Sequence, residues 1–162
     1  ILEEFLSVGK LEDDKLQIHP TEFSIRVFIN DILSDFSSYD QVISFELTED
    51  FTCFQDASIL RKVIFNGLSN ALKFSQKEVV LQVTRNDTYA ELCIIDQGIG
   101  ISEEDQKHLF ERFFRGGNAT VIQGTGLGLH LVDRYMRLLG GKVKIKSELN
   151  RGTELCIQFP NR

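Results

Sequence analysis

Asp56-Ala-Ser-Ile-Leu-Arg-Lys-Val-Ile-Phe-Asn66-Gly-Leu-Ser-Asn70-Ala-Leu-Lys73-Phe74 is the stretch from which the fold can be read. Ile59, Leu60, Val63, Ile64, Leu68, Ala71 and Leu72 recur at helical spacing, and Asp56 stands where a helix N-cap belongs. One long helix with a buried apolar stripe is predicted. At 100° per residue, Asn66, Asn70 and Lys73 fall within an arc of roughly 60° on another face, with Lys62 near the same line. Two carboxamides and an amine on one face can meet an ion and phosphates; the bland alternative is a solvated helix face.

Working outward, Phe23 to Phe36 reads as an amphipathic helix with Ser24 as a candidate N-cap. Val42 to Leu47 alternates as a strand. Val79 to Thr84 and Tyr89 to Ile95 read as a hairpin through Asn86-Asp87. Ser102 to Leu109 is a short helix and Gly116 to Thr125 a loop. Leu127 to Leu139 is a helix closed by Gly140-Gly141, and a second hairpin joins Lys142–Ser147 to Thr153–Phe159. Before residue 20 the apolar spacing of Ile1 to Val8 suggests a helix tail. It is followed by a linker or short strand. Strands and helices mix without strict alternation, so an α+β sandwich is expected.

Three further segments carry chemistry. Asp96-Gln-Gly98-Ile-Gly100-Ile101 follows the apolar strand Leu92–Ile95. A carboxylate at a strand end can accept the exocyclic amino hydrogen of adenine, and glycines let backbone approach a flat ring. A simple turn is the alternative. Phe110-Glu-Arg112-Phe-Phe-Arg115 combines aromatic anchors with arginines that could reach a phosphate tail. Gly124-Thr125-Gly126-Leu127-Gly128 opens an apolar helix, whose free N–H groups form an anion site. This loop is no Walker A sequence, because no Lys-Ser/Thr follows it. Amide oxygens are hard ligands suited to Mg²⁺, and Lys73 suits phosphate as a point charge. The four segments together describe a nucleotide pocket.

Their order and spacing resemble the catalytic, ATP-binding domain of sensor histidine kinases, within the superfamily shared with gyrase, Hsp90 and MutL. The segments match that family's N, G1, F and G2 boxes, and Gly152-Thr-Glu-Leu-Cys-Ile-Gln-Phe159 matches its terminal strand. The resemblance covers residues 20–162; residues 1–19 resemble the end of the dimerisation helix and its linker. It implies a Bergerat fold, a two-layer sandwich of a mixed five-stranded sheet with three helices on one face. It implies Asn70 as the main Mg²⁺ ligand and Asn66 as the second polar group near metal and phosphate. Lys73 and Arg115, with Arg112 as the lesser arginine, would bind phosphate. Phe74 stands in place of a frequent Tyr and would pack on adenine. Asp96 would read adenine, with Gly98, Gly100 and Ile101 around it. Gly116 to Thr125 would form a lid, Gly126 and Gly128 would let it approach the triphosphate, and Gly124, Thr125 and Leu127 would line the nucleotide beside them.

The resemblance also implies partners: ATP, the dimerisation and phosphoacceptor helices of a parent kinase, and the receiver domain of a response regulator. A cytoplasmic location is implied, whether or not the parent is anchored in the inner membrane. Superfamily ATPases carry a Glu where this chain has Asn66. That favours transfer to a protein group over hydrolysis. A hydrolytic ATPase and a regulatory nucleotide-binding module remain the alternatives. The family's acceptor is a histidine followed by an acidic residue. His19, His108 and His130 are followed by Pro20, Leu109 and Leu131. The chain is therefore expected to lack its own acceptor. It begins with Ile1, which suggests a fragment.

Composition fits this reading. The 162 residues include thirteen Phe and are 42% hydrophobic, which supports a packed core. A net charge of −6 disfavours nucleic acid as a partner. No apolar run approaches the ~18 residues of a membrane span, and no direct membrane contact is expected. Cys53, Cys93 and Cys156 are far apart and lie among apolar residues, so all three are expected to be buried free thiols in a reducing compartment.

Overall fold

The computed structural model describes Leu6, Gly9 and residues 16–119, 122 and 124–160. Nearly all of the expected dimerisation-helix tail therefore lies outside the described residues.

Strands β1 (Thr21–Ser24) and β3 (Thr52–Gln55) form a small antiparallel pair. The main sheet has five strands in the order β2–β4–β5–β7–β6. They are β2 (Ile43–Leu47), β4 (Val79–Arg85), β5 (Tyr89–Ile95), β6 (Lys142–Glu148) and β7 (Gly152–Pro160). Only β2 and β4 are parallel, so the sheet is mixed. The longer helices are α1 (Ile25–Ser34), α2 (Ala57–Phe74) and α4 (Gly128–Leu138); α3 is the single turn Glu103–Gln106.

Period-2 alternation decides which face of the sheet the helices cover. Val79, Leu81 and Val83 of β4, Ala90, Leu92 and Ile94 of β5, and Ile157 and Phe159 of β7 are buried. They share one core with Ile25, Ile29 and Ile32 of α1, Leu60, Ile64 and Leu68 of α2, and Leu131, Val132 and Met136 of α4. Each such side chain removes about 1.5–3 kcal/mol worth of apolar surface from water. This is the expected Bergerat-type α+β sandwich.

Local signals work as the sequence suggests. The Ser24 side chain accepts from the Val27 N–H, that of Asp56 from Ile59, and that of Ser102 from Asp105. Two readings change. Phe23 lies in β1, not in the helix that follows, and its ring packs on Phe28 at 4.6 Å. Cys93 and Cys156 are not free thiols: they face each other across β5 and β7 and form a disulfide. Their separation of 63 residues hid a proximity that only strand register creates. Cys53 is free and fully buried, as expected, with its thiol pushed up to about 12 by burial.

Candidate functional site: a nucleotide pocket beside helix α2

One cavity of about 880 Å³ opens on the helical side and gathers most of the predicted residues. Asn66, Asn70, Lys73 and Phe74 line it from α2, Asp96, Gly100 and Ile101 from the segment after β5, Arg115 from the loop beyond α3, and Gly124, Thr125, Gly126 and Gly128 from the approach to α4. Gly98, Arg112 and Leu127 do not line it. Leu127 is buried in the core and Arg112 lies over the Phe113 ring, 5.7 Å from its centroid.

At the inner end sits Asp96, 9% exposed. Its backbone closes the β5–β7 ladder, giving N–H to the Thr153 carbonyl at 2.9 Å. Its Oδ1 accepts from the Gly98 N–H at 2.7 Å and from the Thr153 N–H at 3.3 Å. Among the described residues both bonds fall on Oδ1. Burial raises the Asp96 pKa above the usual carboxylate value, and the two N–H donors oppose that shift. A buried carboxylate with one oxygen fixed by two backbone N–H groups is a hydrogen-bond acceptor of defined direction.

The glycines beside it also meet the protein's own backbone. A methyl group at Gly98 would stand 2.2 Å from the Phe74 carbonyl oxygen. One at Gly100 would stand 1.9 Å from that of Glu148, and Gly100 also has φ +65°. Both residues let the loop lie against the protein's own backbone. Ile99 joins the two sides, its N–H given to the Phe74 carbonyl at 3.2 Å and its carbonyl accepting from Asn150 at 2.8 Å. Ile101 is held by its N–H on the Ser147 hydroxyl at 2.8 Å.

At the outer end, the Asn66 amide nitrogen donates to the Lys62 carbonyl one turn back at 2.9 Å. This turns Oδ1 toward the start of α4, where a methyl at Gly128 would lie 3.5 Å from Asn66 Oδ1 and 3.9 Å from Asn70 Oδ1. The N-cap residue of α4, Leu127, makes no side-chain cap bond, and Gly128 at the start of the helix lines the same cavity. The Lys73 ammonium lies 5.2 Å from the Phe74 ring centroid and directly under Gly124. Two amide oxygens, an ammonium and a helix N-terminus thus share one wall. The amide oxygens are a hard donor set of the kind Mg²⁺ takes alongside phosphate. Arg115 behaves otherwise: its guanidinium donates to the carbonyls of Ala119, at 2.9 Å, and Ile122, which closes the loop on itself. Thr120, Val121 and Gln123 of the expected lid lie outside the described residues.

None of the histidines enters this space. The His19 N–H caps Asp56 at 2.7 Å, the His108 ring pairs with Glu111, and the His130 ring meets the Phe110 carbonyl at 2.9 Å.

Residues 55–162 match the family described as histidine kinase-, DNA gyrase B- and HSP90-like ATPase. The sensor histidine kinase RcsC of Escherichia coli K12 is 30% identical over 99% of the chain. The autoinducer 2 sensor kinase/phosphatase LuxQ of Vibrio cholerae is 31% identical over 99%, and the sensor histidine kinase YvrG of Bacillus subtilis 32% identical over 98%. The chain spans 18%, 20% and 29% of these three relatives. Among solved structures, the mycobacterial sensor histidine kinase MprB superposes with a TM-score of 0.76 at 28% identity, covering 89% of this chain and 99% of that one. Full-length ShkA in complex with AMPPNP reaches 0.87 at 23% identity, covering 98% and 34%. The chain belongs to the histidine kinase-, DNA gyrase B- and HSP90-like ATPase family, as an ATP-binding catalytic domain of the sensor histidine kinase branch.

Proposed function

We propose that this domain binds ATP with Mg²⁺ and passes the γ-phosphoryl group to a histidine on dimerisation helices, from which it is relayed to a response-regulator receiver domain on the cytoplasmic side. The observation that carries this reading is the shared cavity. Asn66, Asn70 and Lys73 stand at one end and Asp96 at the other, along one helix and the strand beside its end.

The Asp96 carboxylate accepts the adenine amino hydrogen; guanine presents a carbonyl oxygen at that position and is rejected. Phe74 packs on the base. Asn70, with Asn66 beside it, would hold Mg²⁺, which neutralises charge on the phosphates. Lys73 and the N-terminus of α4 receive phosphate oxygens. Asn66 favours a kinase over a hydrolase. Its amide is fixed by Lys62 and offers no base for water, and phosphoryl transfer needs mainly position and charge. The acceptor is a histidine other than His19, His108 and His130, none of which is followed by an acidic residue.

The test is incubation with γ-labelled ATP and Mg²⁺, with and without dimerisation helices supplied in trans. The expected outcome is a label on the added helices that is acid-labile and base-stable, absent when Asn70 is Ala. Fast phosphate release without helices would favour an ATPase. Binding of ATP with no transfer in any combination would favour a regulatory module.

A further inference from the structure

We propose that Cys93 and Cys156 are a reversible dithiol–disulfide site on the open face of the sheet, whose oxidation clamps the β5–β7 ladder next to Asp96.

Strand register makes the pair. Asp96 and Thr153 exchange both backbone hydrogen bonds, at 2.9 and 3.3 Å. Hydrogen-bonded and non-bonded pairs alternate along an antiparallel ladder, so Cys93 and Cys156, three residues back on each strand, occupy a narrow non-bonded pair. Their Cα atoms are 4.1 Å apart. Side chains of such a pair leave the sheet on the same face. The sulfurs are neighbours whether bonded or not, and the flanking ladder bonds hold the strands in either state. Opening and closing the link therefore requires no change of fold.

Access favours reversibility. Ala90, Leu92 and Ile94 point into the core, which puts Cys93 on the opposite face, where it is half-buried. That face is polar: one row across the sheet runs Glu46, Gln82, Cys93, Cys156, Lys144, with Gln82 bonded to Glu46 at 2.7 Å. Cys156 lies 3.3 Å from Glu154 Oε1, and Glu154 pairs with Lys146 at 3.7 Å. In the dithiol the carboxylate accepts the Cys156 thiol hydrogen, while Lys144 and Lys146 place positive charge near a departing thiolate. Cys53 is a built-in contrast: it is fully buried and forms no disulfide among the described residues.

With a peroxide as oxidant the balance closes. The Cys93 sulfur attacks one peroxide oxygen, the O–O bond breaks, and the thiol proton leaves with the other oxygen as water, giving a sulfenic acid. The Cys156 sulfur attacks that sulfur, forms the S–S bond, and its proton leaves with the hydroxyl as a second water. Two electrons pass from the thiols to the peroxide. A small dithiol reverses this through a mixed disulfide: its second thiol releases the protein sulfur, and both cysteines regain protons as the reagent becomes a cyclic disulfide.

The experiment uses the folded chain, cycled through dithiothreitol and hydrogen peroxide, then alkylated without denaturant and mapped by peptide mass. The expected result is Cys93 alkylated after reduction, Cys93 and Cys156 joined after oxidation, and full recovery on a second reduction, with Cys53 unmodified throughout. Amide exchange at Asp96 and Thr153 should slow at least about tenfold in the oxidised form, and Cys93→Ser should abolish that difference. A link that dithiothreitol removes only in denaturant would overturn the proposal, as would cysteines that stay alkylatable after peroxide. Equal exchange rates in the two forms would remove the clamp.

Discussion

The two ends of the pocket are built by different means. Around Asp96 several fixed positions rest on backbone groups: the ladder bonds to Thr153, the Gly98 N–H on Oδ1, and Ile99 held between Phe74 and Asn150. Around Gly124 the nearest group is a side-chain tip, the Lys73 ammonium. Backbone positions are set when the domain folds, whereas a lysine tip can move without unfolding anything. The base end is therefore a consequence of the fold, and the phosphate end is adjustable. This suits a ligand whose base must be identified and whose phosphates must change hands.

The sharpest way to break this contrast is Gly100→Ala. The new methyl would stand 1.9 Å from the Glu148 carbonyl, at a residue with φ +65°. A loss of more than about 2 kcal/mol is expected by chemical denaturation. A loss under about 0.5 kcal/mol would show that the base end yields as readily as the other.

Asp96→Asn comes next. Loss of a charged acceptor should weaken ATP binding by about 1.5–3 kcal/mol in calorimetry and narrow the preference over GTP, leaving the fold intact. The pH dependence sharpens the point. Because burial raises the folded pKa of Asp96 above 3.8, its contribution to stability is complete below the unfolded value. That contribution is lost as pH rises through the folded value. Thermal melts of the wild type should thus lose ground to Asp96→Asn across that window and run parallel above it. ATP affinity of the wild type should fall as pH drops through the same raised value.

Gly124→Ala should do least. Its methyl would meet only the Lys73 Nζ, at 2.6 Å, and a lysine tip can swing aside. Stability should change by less than about 0.5 kcal/mol, and ATP binding, if Lys73 is displaced, by less than about 1 kcal/mol. A large drop in melting temperature would place this end among the rigid parts and dissolve the distinction.

The same division separates what the sequence discloses from what it conceals. Helix α2, its Asp56 cap and its polar face follow from local periodicity, as do both hairpins, because neighbours in sequence set them. Strands β1 and β3 escaped notice because four residues carry too little alternation and their pairing joins Thr21 to Gln55. The Cys93–Cys156 pair needed the register of two strands 63 residues apart. The close approaches at Gly98 and Gly100 could not be read locally, since the carbonyls they accommodate belong to Phe74 and Glu148, far off in sequence. Arg115 lines the cavity, and the bonds from its guanidinium to the Ala119 and Ile122 carbonyls were not legible in the short motif.

Helix α2 carries Phe74 at its end beside the Asp96 segment and Asn66 two turns earlier. At 1.5 Å per residue these marks are about 12 Å apart, a spacing that no loop movement can alter. The helix is thus a ruler laid alongside the ligand. A ligand held at one mark meets the other only if it is about that long, so the backbone itself fixes the span of what this pocket can grip at both ends.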